Sequence, residues 1–214
     1  MSESVYEDLR RAVVEYNNDL AADKAREIID SGLDLERALD VMTEAIRKIG
    51  DDFGRGDLFL PDLVGASQAM LSALPLIEGE LEKRGNKRAG QGVVVAGTVY
   101  GDIHTIGKTM VVTLLMAAGF SVHDIGVNVR PEAFVKAVQE YGADILCMSA
   151  LMTTTAPEQK KTIEALERAG IRDRVKVMVG GAAITQEFAD SIGADGYDPM
   201  APGAVALAKK LIGA

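Results

Sequence analysis

His104 and Asp102 lie two residues apart in the stretch Gly101-Asp102-Ile103-His104-Thr105-Ile106-Gly107. A histidine ring can give one nitrogen to a transition metal while a nearby carboxylate accepts a hydrogen bond from the other. That contact selects the tautomer and tunes the donor. The flanking glycines let backbone come close to a bulky ligand. Taken alone, the pair is equally compatible with a capping or hydrogen-bonding role. A zinc cage needs three or four protein ligands, and the chain has two histidines and one cysteine. A metal already held by a macrocycle needs only one axial ligand from the protein, which this chain can supply.

The elements that must position these residues follow from apolar spacing. After about residue 92, β-branched runs at Val93 to Val99, Ser121 to Ile125, Ile145 to Ala150 and Val175 to Val179 alternate with helical segments. The helices are expected at 108–118, 131–141, 157–169 and 185–192, with a short fifth strand near Gly196 and Tyr197 and a last helix over Gly203 to Ile212. Such alternation, with nearly continuous apolar strands, predicts a parallel sheet covered on both faces. Ligands then sit beyond the carboxyl ends of the strands, which is where His104 falls.

The first part has a different pattern. Apolar residues recur at helical spacing in four series: Val5 to Tyr16; Leu20, Ile28 and Ile29; Leu35 to Ile49; and Leu63 to Leu81. Short connections between them predict antiparallel neighbours. The fold class is therefore an all-α four-helix bundle followed by an α/β flavodoxin-like (Rossmann-like) five-stranded parallel sheet domain. The polar run Lys83 to Gln91 is the expected linker, dividing the chain into 1–88 and 89–214.

A net charge of −9 and the lack of a Lys/Arg cluster argue against a nucleic-acid partner. The single cysteine, Cys147, excludes an internal disulfide and is expected in a buried strand. The start of the chain carries acids rather than a signal-type apolar run, and no run of about 18 apolar residues is evident. A cytoplasmic protein with no membrane partner is the expectation. His123, alone near the second strand, has a structural role on this reading. Asp195 and Asp198 read as turn residues, and Lys108 and Lys209-Lys210 as solvated helix charges. The Gly180-Gly181 pair could be an ordinary strand-end turn, and Thr153 to Thr155 before Pro157 could start a helix.

Asp102-Ile103-His104-Thr105-Ile106-Gly107, Ser149-Ala150-Leu151 and Gly180-Gly181 resemble, in order and spacing, the DxHxxG, SxL and GG signatures of cobalamin-binding domains. The run Phe53 to Pro61 resembles the bundle motif of methionine synthase and of the small corrinoid proteins of anaerobic methyltransferase systems, whose length the chain also matches. The resemblance implies cobalamin (methylcobalamin or a related corrinoid) as cofactor, with His104 as the ligand to cobalt and Asp102 orienting it. Thr155 falls at the hydroxyl of the relay, where methionine synthase has serine. Gly101, Ile103, Thr105, Ile106 and Gly107 would form the ligand loop; Thr105 replaces an aspartate common in related carriers. Ser149, Leu151, Thr153, Gly180 and Gly181 would line the channel for the nucleotide tail. The bundle would act as a cap over the methyl face, with Met70 and Leu74 either approaching the methyl group or serving as bundle core.

The implied function is a methyl carrier. Reduced cobalt takes a methyl group from a donor held on a substrate-specific methyltransferase and passes it to a methyl-acceptor methyltransferase acting on tetrahydrofolate or a thiol. A reductive activase is the third implied partner. Transfer requires the cap to move, so Gly85 to Gly92 are expected to hinge. Methanol, methylamines, betaines and methoxylated aromatics are all candidate donors, with a methoxyaromatic or quaternary amine slightly preferred. Two alternatives share the signatures. A cobalamin-dependent sensor would need an output domain, and the cobalamin subunit of an adenosyl-dependent mutase would not need the preceding bundle.

Overall fold

The computed structural model describes residues 2–84 and 91–213. The expected border between 88 and 89, and most of the expected hinge, lie at 85–90, outside the described residues. The chain divides into two compact units, Met1–Ala89 with Met116–Gly119, and Gly90–Leu115 with Phe120–Ala214.

The first unit contains four helices: α1 Ser2–Val14, α2 Asn18–Asp30, α3 Leu35–Arg55 and α4 Leu60–Lys83. Two short polar residues set the helix starts. The Asn17 side chain accepts from the Leu20 N–H at 3.0 Å, and Asp34 accepts from those of Glu36 and Arg37. Each satisfies amides that have no partner within the helix. The buried face of α2 is Ala21, Ala25 and Ile28, whereas Leu20 and Ile29, expected to face inward, are only half-buried. Small side chains allow close helix packing that a larger apolar series would prevent. Gly65 shows the same economy of space, because a Cβ there would lie 2.8 Å from the Tyr16 ring.

By length and composition Leu60–Leu81 could cross a bilayer, which corrects the expectation that no such segment exists. In the structure its apolar residues Leu63, Ala66, Met70, Leu74 and Ile77 are buried. The length and apolarity of α4 are those of a core helix.

The second unit alternates β1 Val93–Thr98, α5 Ile106–Ala117, β2 Ser121–Asp124, α6 Pro131–Tyr141, β3 Ile145–Ser149, α7 Pro157–Arg168, β4 Lys176–Gly180, α8 Gln186–Ser191, β5 Gly196–Tyr197 and α9 Ala201–Ile212. All pairings are parallel, in the order β2-β1-β3-β4-β5. This is the flavodoxin-like order. Side chains alternate between faces. Val95, Leu146, Val177 and Val179 pack with Phe134, Val138, Ile163 and Leu166 on one side. Ala96, Cys147 and Met178 share a register row on the other.

Candidate functional site

The strand order reverses between β1 and β3, so their two following loops diverge around a crevice where ligands bind in such sheets. Asp102 lies in the loop after β1 and is wholly buried. Its carboxylate accepts four hydrogen bonds: from the His104 N–H at 3.0 Å, the His104 ring Nδ1 at 2.7 Å, the Leu151 N–H at 2.8 Å and the Thr155 hydroxyl at 2.7 Å. Burial alone would raise its pKa. The bonds from the His104 N–H, Thr155, the His104 ring and the Leu151 N–H outweigh that, and hold the carboxyl well below the usual range. An ionised acceptor requires the hydrogen on Nδ1, and a neutral ring held so would present its Nε2 lone pair to a metal. The His104 side chain is 47% exposed, so the ring is held at one edge and open to a ligand.

The loop is also tied from below. The buried Thr98 hydroxyl donates to the His104 carbonyl at 3.0 Å. Thr98, Ser149 and Gly180 occupy one register row at the ends of β1, β3 and β4, which brings the three sequence signatures to one edge. Gly181 follows with φ +119°, and a Cβ there would lie 1.9 Å from the Ala150 carbonyl oxygen. Only glycine fits that approach. Gly101, Ile103, Thr105, Ile106, Gly107, Leu151 and Thr153 are exposed along the same edge, whereas Ser149 and Gly180 are half-buried. Met70, offered by the sequence as either cap or core, is 2% exposed.

Several contributors escaped sequence reasoning. Lys108 is not a solvated charge: it is buried and ion-paired with Asp124 at the end of β2. Gln159, buried in α7, donates to the carbonyls of Met148 and Gly180 and so ties the ends of β3 and β4 together. Asn128 contacts the ligand loop from the loop after β2. Leu151 was expected in a tail channel, and what reaches Asp102 is its backbone amide. No local periodicity marks these contacts, since the partners are distant in sequence. His123 stacks on Tyr141 with ring centroids 3.8 Å apart. Asp198 accepts the Met200 N–H two residues on, as a turn residue does, whereas Asp195 has a longer-range role: it accepts the N–H of Val177, 18 residues away, and is ion-paired with Arg172.

These residues fit a large ligand that brings its own metal coordination. Among the described residues no group of three or more His, Cys, Asp or Glu could hold an ion, so His104 would be a lone axial donor. Exposed apolar side chains also collect on the loops and helix starts at this edge: Tyr100, Ile103, Ile106, Leu151, Met152 and Met200. Exposed apolar surface of this kind marks a binding site. Cys147 and Ser149, in the central strand, remain partly uncovered, which leaves room along that sheet face.

Comparison with known proteins decides what the ligand is. Residues 92–206 match the B12 binding domain family, and residues 5–78 match a second B12 binding domain family. The chain belongs to the B12-binding proteins. It binds a corrinoid, and both units are accounted for by the match. Similar proteins include trimethylamine corrinoid protein 2 of Methanosarcina mazei, 41% identical with 97% of this chain and 95% of that protein covered. Dimethylamine corrinoid protein 2 of Methanosarcina acetivorans is 43% identical, with 98% and 97% covered. Among solved structures, a chain of the methanol:cobalamin methyltransferase complex of Methanosarcina barkeri aligns with a TM-score of 0.78 at 28% identity, covering 100% of this chain and 81% of that one. The monomethylamine corrinoid protein of the same organism aligns with a TM-score of 0.55 at 30% identity, covering 99% and 100%. This corrinoid protein thus has the expected family, fold and cofactor class.

Proposed function

We propose that this corrinoid protein carries a methyl group from a methylated amine, held on a substrate-specific methyltransferase, to a second methyltransferase acting on tetrahydrofolate or a thiol. The observation that carries this reading is end-to-end likeness, at 41% and 43% identity, to proteins named for trimethylamine and dimethylamine. A reductive activase is a further expected partner, and the setting is cytoplasmic, with no nucleic acid or membrane involved.

Bound cobalamin supplies a cobalt centre that accepts and releases the methyl group. The chain supplies orientation. His104 would hold the cobalt through Nε2, while Asp102, kept ionised, would keep the hydrogen on Nδ1. Thr155 and the Leu151 amide keep the carboxylate in place. Gly101, Ile103, Thr105, Ile106 and Gly107 would contact the ring, while Ser149, Leu151, Thr153, Gly180 and Gly181 would hold the nucleotide tail. Met70 serves the bundle core on this reading.

The test is spectroscopic. Cobalamin-loaded, reduced protein mixed with trimethylamine or dimethylamine and the matching methyltransferase should gain the visible spectrum of the methylated cofactor. Adding an acceptor methyltransferase with its thiol should reverse the change. Methylation by a methanol or methoxyaromatic system, but by no amine system, would replace the donor. Inertness with all of them would reject the carrier role.

A further inference from the structure

Asn128, in the loop between β2 and α6, has a left-handed backbone with φ +54°. That conformation is uncommon for a residue with a Cβ, and asparagine is one of the few that adopt it readily. It gives Asn128 two contacts with the loop that carries His104. The Asn128 side-chain oxygen accepts from the Gly101 N–H at 2.8 Å. The Asn128 backbone N–H donates to the Asp102 carbonyl at 2.9 Å. The neighbouring backbone repeats the pattern, since Val129 N–H donates to the Thr98 carbonyl and Thr98 N–H to that of Gly126. Asp102 is therefore fixed twice: its carboxylate by Thr155, Leu151 and His104, and its backbone by Asn128.

We infer that Asn128 is a positioning residue for the axial histidine: by clamping Gly101 and Asp102 it sets where Asp102, and through it the His104 ring, stands. The inference rests on His104 being the axial ligand. Asn128 is exposed and bonds to Gly101 and Asp102, so its contribution passes through the loop rather than through a hydrophobic core. Outer partners of metal-ligating histidines set the ligand's orientation and affinity, and Asn128 stands one link further out than Asp102. A single neutral hydrogen bond is worth about 0.5–1.5 kcal/mol, which corresponds to about a twofold to tenfold change in an equilibrium constant.

The test uses the full chain and methylcobinamide, which has no base of its own, so that an axial-nitrogen absorbance band reports on the protein's ligand alone. Asn128→Gly keeps the left-handed backbone and its N–H but removes the side-chain acceptor. Asn128→Asp keeps an acceptor oxygen. The expected result for Asn128→Gly is a Kd raised about twofold to tenfold, a weaker axial-nitrogen band, and faster amide exchange at Gly101 in the cofactor-free protein. Asn128→Asp should restore the band. In a His104→Gly background the Asn128→Gly change should have no further effect on Kd, as a double-mutant cycle requires when one residue acts through the other. A wild-type Kd and band in Asn128→Gly, or an equal loss of affinity in both backgrounds, would overturn the inference. An unchanged band in His104→Gly alone would overturn the axial-ligand reading on which it depends.

Discussion

At the scale of single residues, the site turns on how Asp102 is kept ionised while buried. An unpaired buried carboxylate would be strongly destabilising, and here four donors compensate for the lost water. Thr155→Val removes one hydroxyl donor to a charged acceptor and should lower stability by about 1.5–3 kcal/mol in urea unfolding, with Thr155→Ser recovering most of it. Acid unfolding gives a second check. A depressed carboxyl contributes stability that is complete above its unfolded value of about 3.9 and is lost as the pH falls through the folded one. The stability gap between the cofactor-free wild type and Asp102→Asn should therefore shrink as the pH falls below about 4. A gap independent of pH would show that the carboxylate's charge is not what the four bonds support. His104 and Asp102 were legible because their types and spacing are local. The Leu151 amide and Asn128 were not, because they reach Asp102 and Gly101 from 49 and 27 residues away.

Among the elements, strand and helix positions in the α/β unit follow closely from the alternation of apolar runs, and helix starts in the bundle follow from Asn17 and Asp34. What the pattern does not reveal is which charged residue lies inside. Lys108 sits in the first turn of α5 and looks like a surface charge, yet the end of β2 brings Asp124 to it. That ion pair joins the helix after the ligand loop to the sheet's edge strand. Breaking a buried pair from one side leaves the other charge without compensation. Lys108→Met should thus destabilise the chain by about 3–5 kcal/mol, while Lys108→Met with Asp124→Leu should recover much of the loss. Equal destabilisation of the single and double variants would mean that the pair is not a coupled unit. The inward face of α2 departs from the hydropathy pattern for a related reason: hydropathy ranks Leu20 and Ile29 above Ala21 and Ala25, but space at a close helix contact favours alanine.

For the whole molecule, each unit has its own buried core, with Leu39, Met42, Ile46 and Met70 in the bundle and Phe134, Leu146, Val177 and Leu166 in the α/β unit. The ligand loop, the Ser149 and Gly180 ends and the exposed apolar edge all belong to the second unit. Two cores with the ligand residues on one of them predict two unfolding transitions, with cobalamin acting chiefly on one. At a free concentration 100 times its Kd, cobalamin should stabilise the unit that binds it by about 2.7 kcal/mol. Met70→Ala separates the contributions, because it removes a buried side chain of α4. Its expected effect is a loss of about 2–5 kcal/mol in the bundle transition, with corrinoid affinity unchanged within about twofold, a change of less than about 0.5 kcal/mol. Calorimetry with and without hydroxocobalamin, paired with a binding titration, measures both. A large drop in corrinoid affinity with the bundle transition intact would return Met70 to the role of cap, since a residue serving only the core can alter binding only by altering the stability of its own unit.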